Sequence, residues 1–422
     1  MTSLTPDVLR EIEKIKRAFV VAGIPSFRNA KTIAKVIKNV GNGLARYFPH
    51  LTTVIVNADG GSEDNTREVA LSTPVPREVK KIITPYQGLP GKGSAFHAIF
   101  EIADRLKAKI CLVFDADLRS ITPEWVWTLA KPIYHHSFGF VTPYYLRYKH
   151  DGTITNMLAY PMTRSLYGIR IRQPIGGEFA LTGALAKIYS HEDVWQTDIA
   201  KFGIDIFITT LAIVEGIRIA QASLGVKLHD PKDPASSLVP MFKQVAGTLF
   251  SLMIKFEEKW QATKGSREAE IFDHKVKLVE IEGKEIKPEQ YRREAKKKYE
   301  ESKEIIKAIL PFHIYKEVKN IFSHKNFHLS SEMWTKIVYD FAVAYNFSSF
   351  EKEEILEALI PFYFARISSF AEETHFLSSP LTESLIEGYA EIFEKEKKYL
   401  KKRWSIAKRK LLGNLEIRET TQ

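Results

Sequence analysis

Two carboxylates, Asp115 and Asp117, stand one residue apart at the end of a short apolar run, Cys111-Leu-Val-Phe. That run has the length of a buried parallel strand. Such a strand delivers its acids to the carboxyl edge of an α/β sheet, where ligands bind. Hard divalent cations take oxygen donors, and Mg²⁺ is commonly held by one or two carboxylates plus substrate phosphates. His229, after another predicted strand, adds a neutral nitrogen donor. Lys92 lies between Gly91 and Gly93, so no neighbouring side chain blocks its reach toward a phosphate. A metal and a lysine beside strand-end acids are the parts of a nucleotide diphosphate site, which neutralises charge as a diphosphate leaves. Taken singly, each is as well read as a surface turn or a structural histidine. The Gly-x₄-Gly-Lys-Ser/Thr spacing of a P-loop is absent.

The elements that must position these groups read as strand and helix in alternation. Apolar runs at 18–24, 52–56, 79–84 and 111–118 predict four strands, with helices between them from 31, after Thr66 and from Ser94. Each polar loop falls at a strand's carboxyl end: Pro25 to Asn29, Asn57 to Thr66, and Gln87 to Gly93. Four alternations imply a parallel, doubly wound sheet. Residues 138–148 are β-like and aromatic, a tight loop spans Gln173 to Glu178, a helix opens near Asp205, and a last strand covers 217–228. Beyond about residue 235 glycine is sparse and amphipathic helical spacing runs to the end, with Ser348-Ser-Phe-Glu351 in the form of a capping box. The expectation is a Rossmann-like catalytic domain over 1–235 and an all-α domain over 236–422.

The chain has 422 residues, a net charge of +10 and one cysteine, Cys111. Disulfides are excluded, and a reducing, cytoplasmic setting is expected. Residues 1–17 carry no signal-peptide pattern and no apolar run is long enough to span a bilayer. The excess charge sits in late helices where lysine alternates with glutamate, as on a solvated face, so nucleic acid is not an expected partner.

In this order, Pro25-x-x-x-Asn29, Asp59-Gly-Gly-Ser-x-Asp64-x-Thr66, Pro90-Gly-Lys92-Gly and Asp115-Ala-Asp117 resemble a GT-A nucleotide-sugar glycosyltransferase. Gln173-Pro-Ile-Gly-Gly-Glu178, Gly203-Ile-Asp205 and Leu224-Gly-Val-Lys-Leu-His229 resemble, more narrowly, the retaining glucosylglycerate, mannosylglycerate and glucosyl-3-phosphoglycerate synthases. The resemblance implies that Pro25, Asn29, Asp59, Lys92, Asp115, Ala116, Gly177, Lys227 and Lys232 contact the donor. It implies Asp117 and His229 as ligands of Mg²⁺ or Mn²⁺, with Asp205, Lys92 and Glu178 around the reacting centre. Arg147, Asp151 and Thr155 match positions that hold glycerate. Phosphoglycerate-using relatives have an arginine where this chain has Thr153, with Lys149 and His150 as substitutes to be weighed.

The implied reaction is metal-assisted transfer, with retention, of a hexosyl group from a nucleoside diphosphate sugar to D-glycerate. Glucose is the first choice, and the product a glucosylglycerate of the compatible-solute class. Alternatives are 3-phosphoglycerate as acceptor, mannose as sugar, and a transferase at a membrane surface. The helical tail is expected to close the acceptor site or to build a homodimer.

Overall fold

The computed structural model describes residues 2–228, 238–273, 281 and 283–419. The chain forms two compact units. One comprises Met1–Leu146, Ile171–Gln244 and Glu268–Lys277, and the other Arg147–Arg170, Val245–Arg267 and Leu278–Gln422. The division does not follow a single cut at residue 235. Residues 147–170 group with the helices, because a helix begun at Thr155 buries its side chains there rather than on the sheet.

The first unit is built on strands β1 (Val20–Ser26), β2 (Thr53–Asp59), β3 (Val79–Pro85), β4 (Ile110–Val113) and β5 (Phe140–Leu146). After a two-residue strand β6 (Ile169–Arg170) come β7 (Phe179–Thr182), β8 (Ile219–Val226), the short β9 (Arg267–Glu268) and β10 (Glu270–Phe272). The main sheet runs β10-β8-β5-β7-β4-β1-β2-β3, and β6 pairs with β9 apart from it. All pairs of the main sheet are parallel except those of β7, which lies antiparallel to both β4 and β5. The expected parallel sheet is therefore present, with one reversed strand inserted where the strand order turns.

β1 and β2 are buried along their whole length because helices cover both faces. The helix Ile33–Tyr47 turns Ile33, Val36, Ile37, Val40 and Leu44 inward, an i, i+3, i+4, i+7 stripe. Each such fully buried side chain contributes about 2 kcal/mol. The helix Lys92–Arg105 lies so close on β1 that a Cβ on Gly23 would sit 2.4 Å from Ile99. Pro25 is tolerated in a central strand because β4 pairs with β1 only as far as Gly23.

In the helical unit, Ser331–Phe347, Lys352–Glu373 and Ser379–Glu419 are the long helices. Arg164, 2% exposed, meets Glu387, Glu391 and Glu394, whose spacing puts them on one face of the last helix. Trp260 and Trp404 meet edge to face at 5.2 Å. The helices Pro288–Glu301 and Lys303–Ile309 are separated by a break at Ser302. The capping box of Lys352–Glu373 starts at Glu351, paired with Glu354, and not at Ser348. No helix among the described residues is long and apolar enough to cross a membrane.

Candidate active site

At the carboxyl ends of β4 and β8 and the N-terminal end of β7, charged side chains from distant parts of the first unit converge. Lys92 opens its helix, and its Nζ lies 2.9 Å from Asp115 Oδ1 and 3.1 Å from Asp205 Oδ2. Lys227, just past β8, places its Nζ 3.1 Å from Asp115 Oδ2, 2.9 Å from Glu178 Oε2 and 2.8 Å from the Gly176 carbonyl. Asp115 is thus clasped by two ammonium groups, with Glu178 and Asp205 on the outer flanks. Tyr145 donates its hydroxyl to Glu178 Oε2, and the Asp115 N–H reaches Glu178 Oε1 at 3.4 Å.

The glycines beside these residues are spacers. A Cβ on Gly93 would lie 1.9 Å from the Ile199 carbonyl oxygen, and one on Gly91 2.4 Å from that of Ala200. The Lys92 turn packs directly against the segment leading to the helix Ile204–Val214, whose second residue is Asp205. Gly177 has φ +92°, and a Cβ there would sit 2.1 Å from Asp115 Oδ2. The Gly176-Gly177 turn therefore lets Glu178 and Asp115 share a lysine.

Burial dominates the electrostatics. It pushes the Glu178 carboxyl up to about 7, against the pull of Lys227. It also raises Asp205, against Lys92. Burial acts to lower Lys92, but Asp115 and Asp205 outweigh it and hold the ammonium well above its ordinary value. Asp205 Oδ1 is buried without a hydrogen-bond partner and so remains available as an acceptor.

Asp117 lies in the turn after β4, half-buried, and among the described residues its carboxylate has no hydrogen-bond or ion-pair partner. Among those residues no three His, Cys, Asp or Glu side chains group as a metal cage. A lone unpaired carboxylate suits a cation that takes its other ligands from phosphates and water. His229 and Lys232 lie outside the described residues. Leu228, which precedes them, accepts from the Arg119 N–H at 2.9 Å and donates to Ser120 Oγ at 3.0 Å, two and three residues past Asp117.

The two N-terminal loops are internally bonded. Asp59 Oδ1 accepts from the Gly61 and Ser62 N–H groups at 3.0 and 2.7 Å, and Oδ2 from the Ser26 and Ser62 hydroxyls at 2.8 and 2.7 Å. Asn29 Oδ1 accepts from the Phe27 N–H at 2.9 Å. These two side chains shape their loops, while Pro25 and Ala116 contribute backbone: the Ala116 carbonyl holds Thr32 Oγ1 at 2.8 Å.

Arg147, Asp151, Thr153 and Thr155 belong to the helical unit. Gly152, at φ +69°, makes the turn that sets a virtual Cβ 3.5 Å from an Arg147 guanidinium nitrogen and 3.8 Å from Thr155 Oγ1. Thr155 begins a π-helical turn, Thr155–Ala159. Thr153 is buried and its hydroxyl pairs with Tyr363 at 2.7 Å. Lys149 spends all three N–H bonds on the Thr374, His375 and Leu377 carbonyls, at 2.9, 3.0 and 3.1 Å, at the end of the helix Lys352–Glu373. His150 accepts the Ile286 N–H at Nδ1 and meets Thr374 Oγ1 through Nε2, both at 3.1 Å. Burial pushes its imidazole down to about 4, so the ring is neutral near pH 7.

Residues 32–231 match the family described as mannosylglycerate synthase, GT domain. That stretch, somewhat under half of the chain, is similar to the glycosyltransferase domain of this family. Among solved structures, one described as a mycobacterial protein is 24% identical, covering 57% of this chain and 77% of that chain at a TM-score of 0.42. Glucosyl-3-phosphoglycerate synthase from Mycobacterium tuberculosis, in a structure with Mn²⁺, uridine diphosphate and glucosyl-3-phosphoglycerate, is 22% identical. It covers 58% of this chain and 83% of that chain at a TM-score of 0.43. No curated protein sequence matches the chain.

Sequence reasoning picked out these lysines and acids as candidates but passed over Tyr145. Its only signal was a place in the aromatic run 138–148, read there as strand. Nor did spacing show that Lys227 and Lys92 meet on one carboxylate, since those partners are 112 and 23 residues away from Asp115 (227 − 115 and 115 − 92).

Proposed function

We propose that the protein transfers a hexosyl group, glucose in the first instance, from a nucleoside diphosphate sugar to the 2-hydroxyl of D-glycerate with retention. The observation that carries this reading is the pair of ammonium groups, Lys92 and Lys227, converging on Asp115, two residues before Asp117, in a stretch that matches this family. The donor's diphosphate takes the place of a carboxylate at these lysines, with Lys232 as a further cation. Asp115 then meets the ribose, Pro25 and the Asp59 loop flank the nucleoside, and Gly177, Glu178 and Asp205 surround the sugar. Asp117 and His229 hold Mg²⁺ or Mn²⁺, which supplies Lewis-acid neutralisation of the leaving diphosphate. The bond from C1 to the diphosphate oxygen breaks and that from C1 to the glycerate oxygen forms on the same face. A diphosphate oxygen takes the glycerate proton. Asp205, held by Lys92, orients sugar hydroxyls through its unpaired oxygen.

Arg147 is assigned to the glycerate carboxylate, a planar pairing suited to guanidinium, with Asp151 and Thr155 on its hydroxyls. An unphosphorylated acceptor is favoured because neither Lys149 nor His150 offers a free cation: one is spent on three carbonyls and the other is neutral. Mannose is the second reading, favoured by the description of the matched family. The helical unit is assigned to acceptor closure or to a homodimer, and the cytoplasm is the proposed location. The test offers UDP-, GDP- and ADP-glucose and GDP-mannose with Mg²⁺ against D-glycerate and 3-phosphoglycerate. Turnover with glycerate is expected; turnover confined to 3-phosphoglycerate overturns the acceptor assignment.

A further inference from the structure

We propose that Tyr145 is a positioning residue for the transfer: its hydroxyl fixes Glu178, and Glu178 fixes the Lys227 ammonium against Asp115. This rests on the transferase reading above. Tyr145 is buried and touches both members of the pair, donating to Glu178 Oε2 and carrying its ring 5.3 Å from Lys227 Nζ. Trp125 closes the other side of the ring at 5.6 Å, so the tyrosine has one orientation.

The backbone is arranged to make this meeting. β5 and β8 pair residue for residue up to Tyr144 and Ser223, and then the register slips so that Tyr145 opposes Gly225. Directly opposed residues face the same side of a sheet, and so do residues two apart on one strand. Lys227, two past Gly225, therefore lies on the side of Tyr145. Without the extra residue Tyr145 would oppose Leu224, and Lys227 would point through the opposite face. Gly225 takes φ +77°, which spares the bulge the strain a side chain would bring.

The chemistry explains why a tyrosine is needed. Glu178 has no exposed surface, and the groups facing it are Lys227, the Asp115 N–H and Tyr145. When a diphosphate draws the Lys227 ammonium toward itself, Glu178 loses its cation. The Tyr145 hydroxyl then remains as its side-chain donor, keeping the carboxylate in place for the lysine's return.

The test is Tyr145→Phe, which keeps the ring and removes one hydroxyl. Once wild-type turnover is measured, the variant should lose about tenfold in kcat, the scale of one hydrogen bond to a charged group, with donor KM little changed. The acid limb of its pH–rate profile should move to higher pH, because Glu178 has lost a donor that favours its charged form. Wild-type kcat and an unmoved acid limb would overturn the proposal. Should the wild type transfer no sugar, the functional reading fails separately. The Tyr145 inference is then decided by infrared titration of the carboxyl band that Glu178→Gln abolishes. An upward move of that band in Tyr145→Phe supports it, and no move refutes it.

Discussion

Glu178→Gln should remove a specific pH dependence from the stability of the fold. The wild-type carboxyl sits with no exposed surface, and burial raises it from 4.5 to about 7 in the native state. Between those values the folded protein binds more protons than the unfolded chain, so stability falls as pH rises. The contribution is fully present below 4.5 and is lost as pH passes through about 7. Working the linkage between about pH 5 and about pH 7.5 gives a loss of about 2 kcal/mol. Glutamine is close in shape and does not titrate. Subtracting its unfolding free energy from that of the wild type cancels every other ionisable group in both units. Urea unfolding at the two pH values, fitted with one m-value, measures the difference. Wild type should be more stable relative to the variant at the lower pH, by about 2 kcal/mol more than at the higher. A difference that stays constant across the range would mean that Glu178 keeps an ordinary carboxylate affinity. The buried cluster would then not be as dry as the geometry makes it.

Gly93→Ala should cost several kcal/mol, because its Cβ would lie 1.9 Å from a backbone oxygen. Gly388→Ala, with nothing within 4 Å in a helix, should be neutral or stabilising by about 0.5 kcal/mol; paired thermal melts compare them. Asp117→Ala should abolish turnover, with no rescue by excess Mn²⁺, while leaving the unfolding midpoint unchanged, because among the described residues its carboxylate has no hydrogen-bond or ion-pair partner. Full wild-type activity in EDTA would exclude its metal role. His150 is neutral when folded, at about 4. The unfolded chain therefore binds more protons as pH falls below about 6.5, and the stability this histidine contributes is lost over that window. His150→Gln should flatten that decline in urea unfolding and weaken acceptor KM, with donor KM unaffected.

The sheet was legible because β1, β2 and β4 are short apolar runs that each end in polar loops, as burial on both faces requires, while β3, at the sheet edge, keeps apolar residues beside its two lysines. β7 was not: Phe179–Thr182 has four residues, follows two glycines and has no alternation to mark its reversed direction. β10 joins the sheet through partners about 50 residues earlier, a non-local choice that spacing does not encode. The cap near residue 350 was misplaced because Ser348-x-x-Glu351 satisfies the Ser/Thr-x-x-Glu pattern, whereas the residue that caps the helix, Glu351, is a glutamate outside it. The backbone turns extended at Glu351 and the helix begins after it. Candidate site residues were chosen by type and position, since acids and lysines at strand ends have few structural reasons to be there. Asp59 shows the limit of that reasoning. It stands at a strand end in a glycine-rich loop, yet its four hydrogen bonds all serve local structure, three from Gly61 and Ser62 closing the loop and one from Ser26 at the end of β1.

The same distinction separates the two acids of the β4 loop. Three carboxylates, Asp115, Glu178 and Asp205, face two ammonium groups, Lys92 and Lys227, and the raised affinity of buried Glu178 for a proton offsets the surplus acid. Asp115 holds both cations and cannot turn to another ligand without releasing one, which would leave a buried charge uncompensated. Asp117, half-buried like Asp115, has no such tie among the described residues. An arriving diphosphate competes with Asp115 for the lysines, whereas a divalent cation on Asp117 disturbs no existing pair. One Asp-x-Asp strand end thus carries two electrostatic tasks. On the proposed reading, the acid nearer the strand would keep two lysines in place before the donor arrives, and the acid in the turn would take the metal.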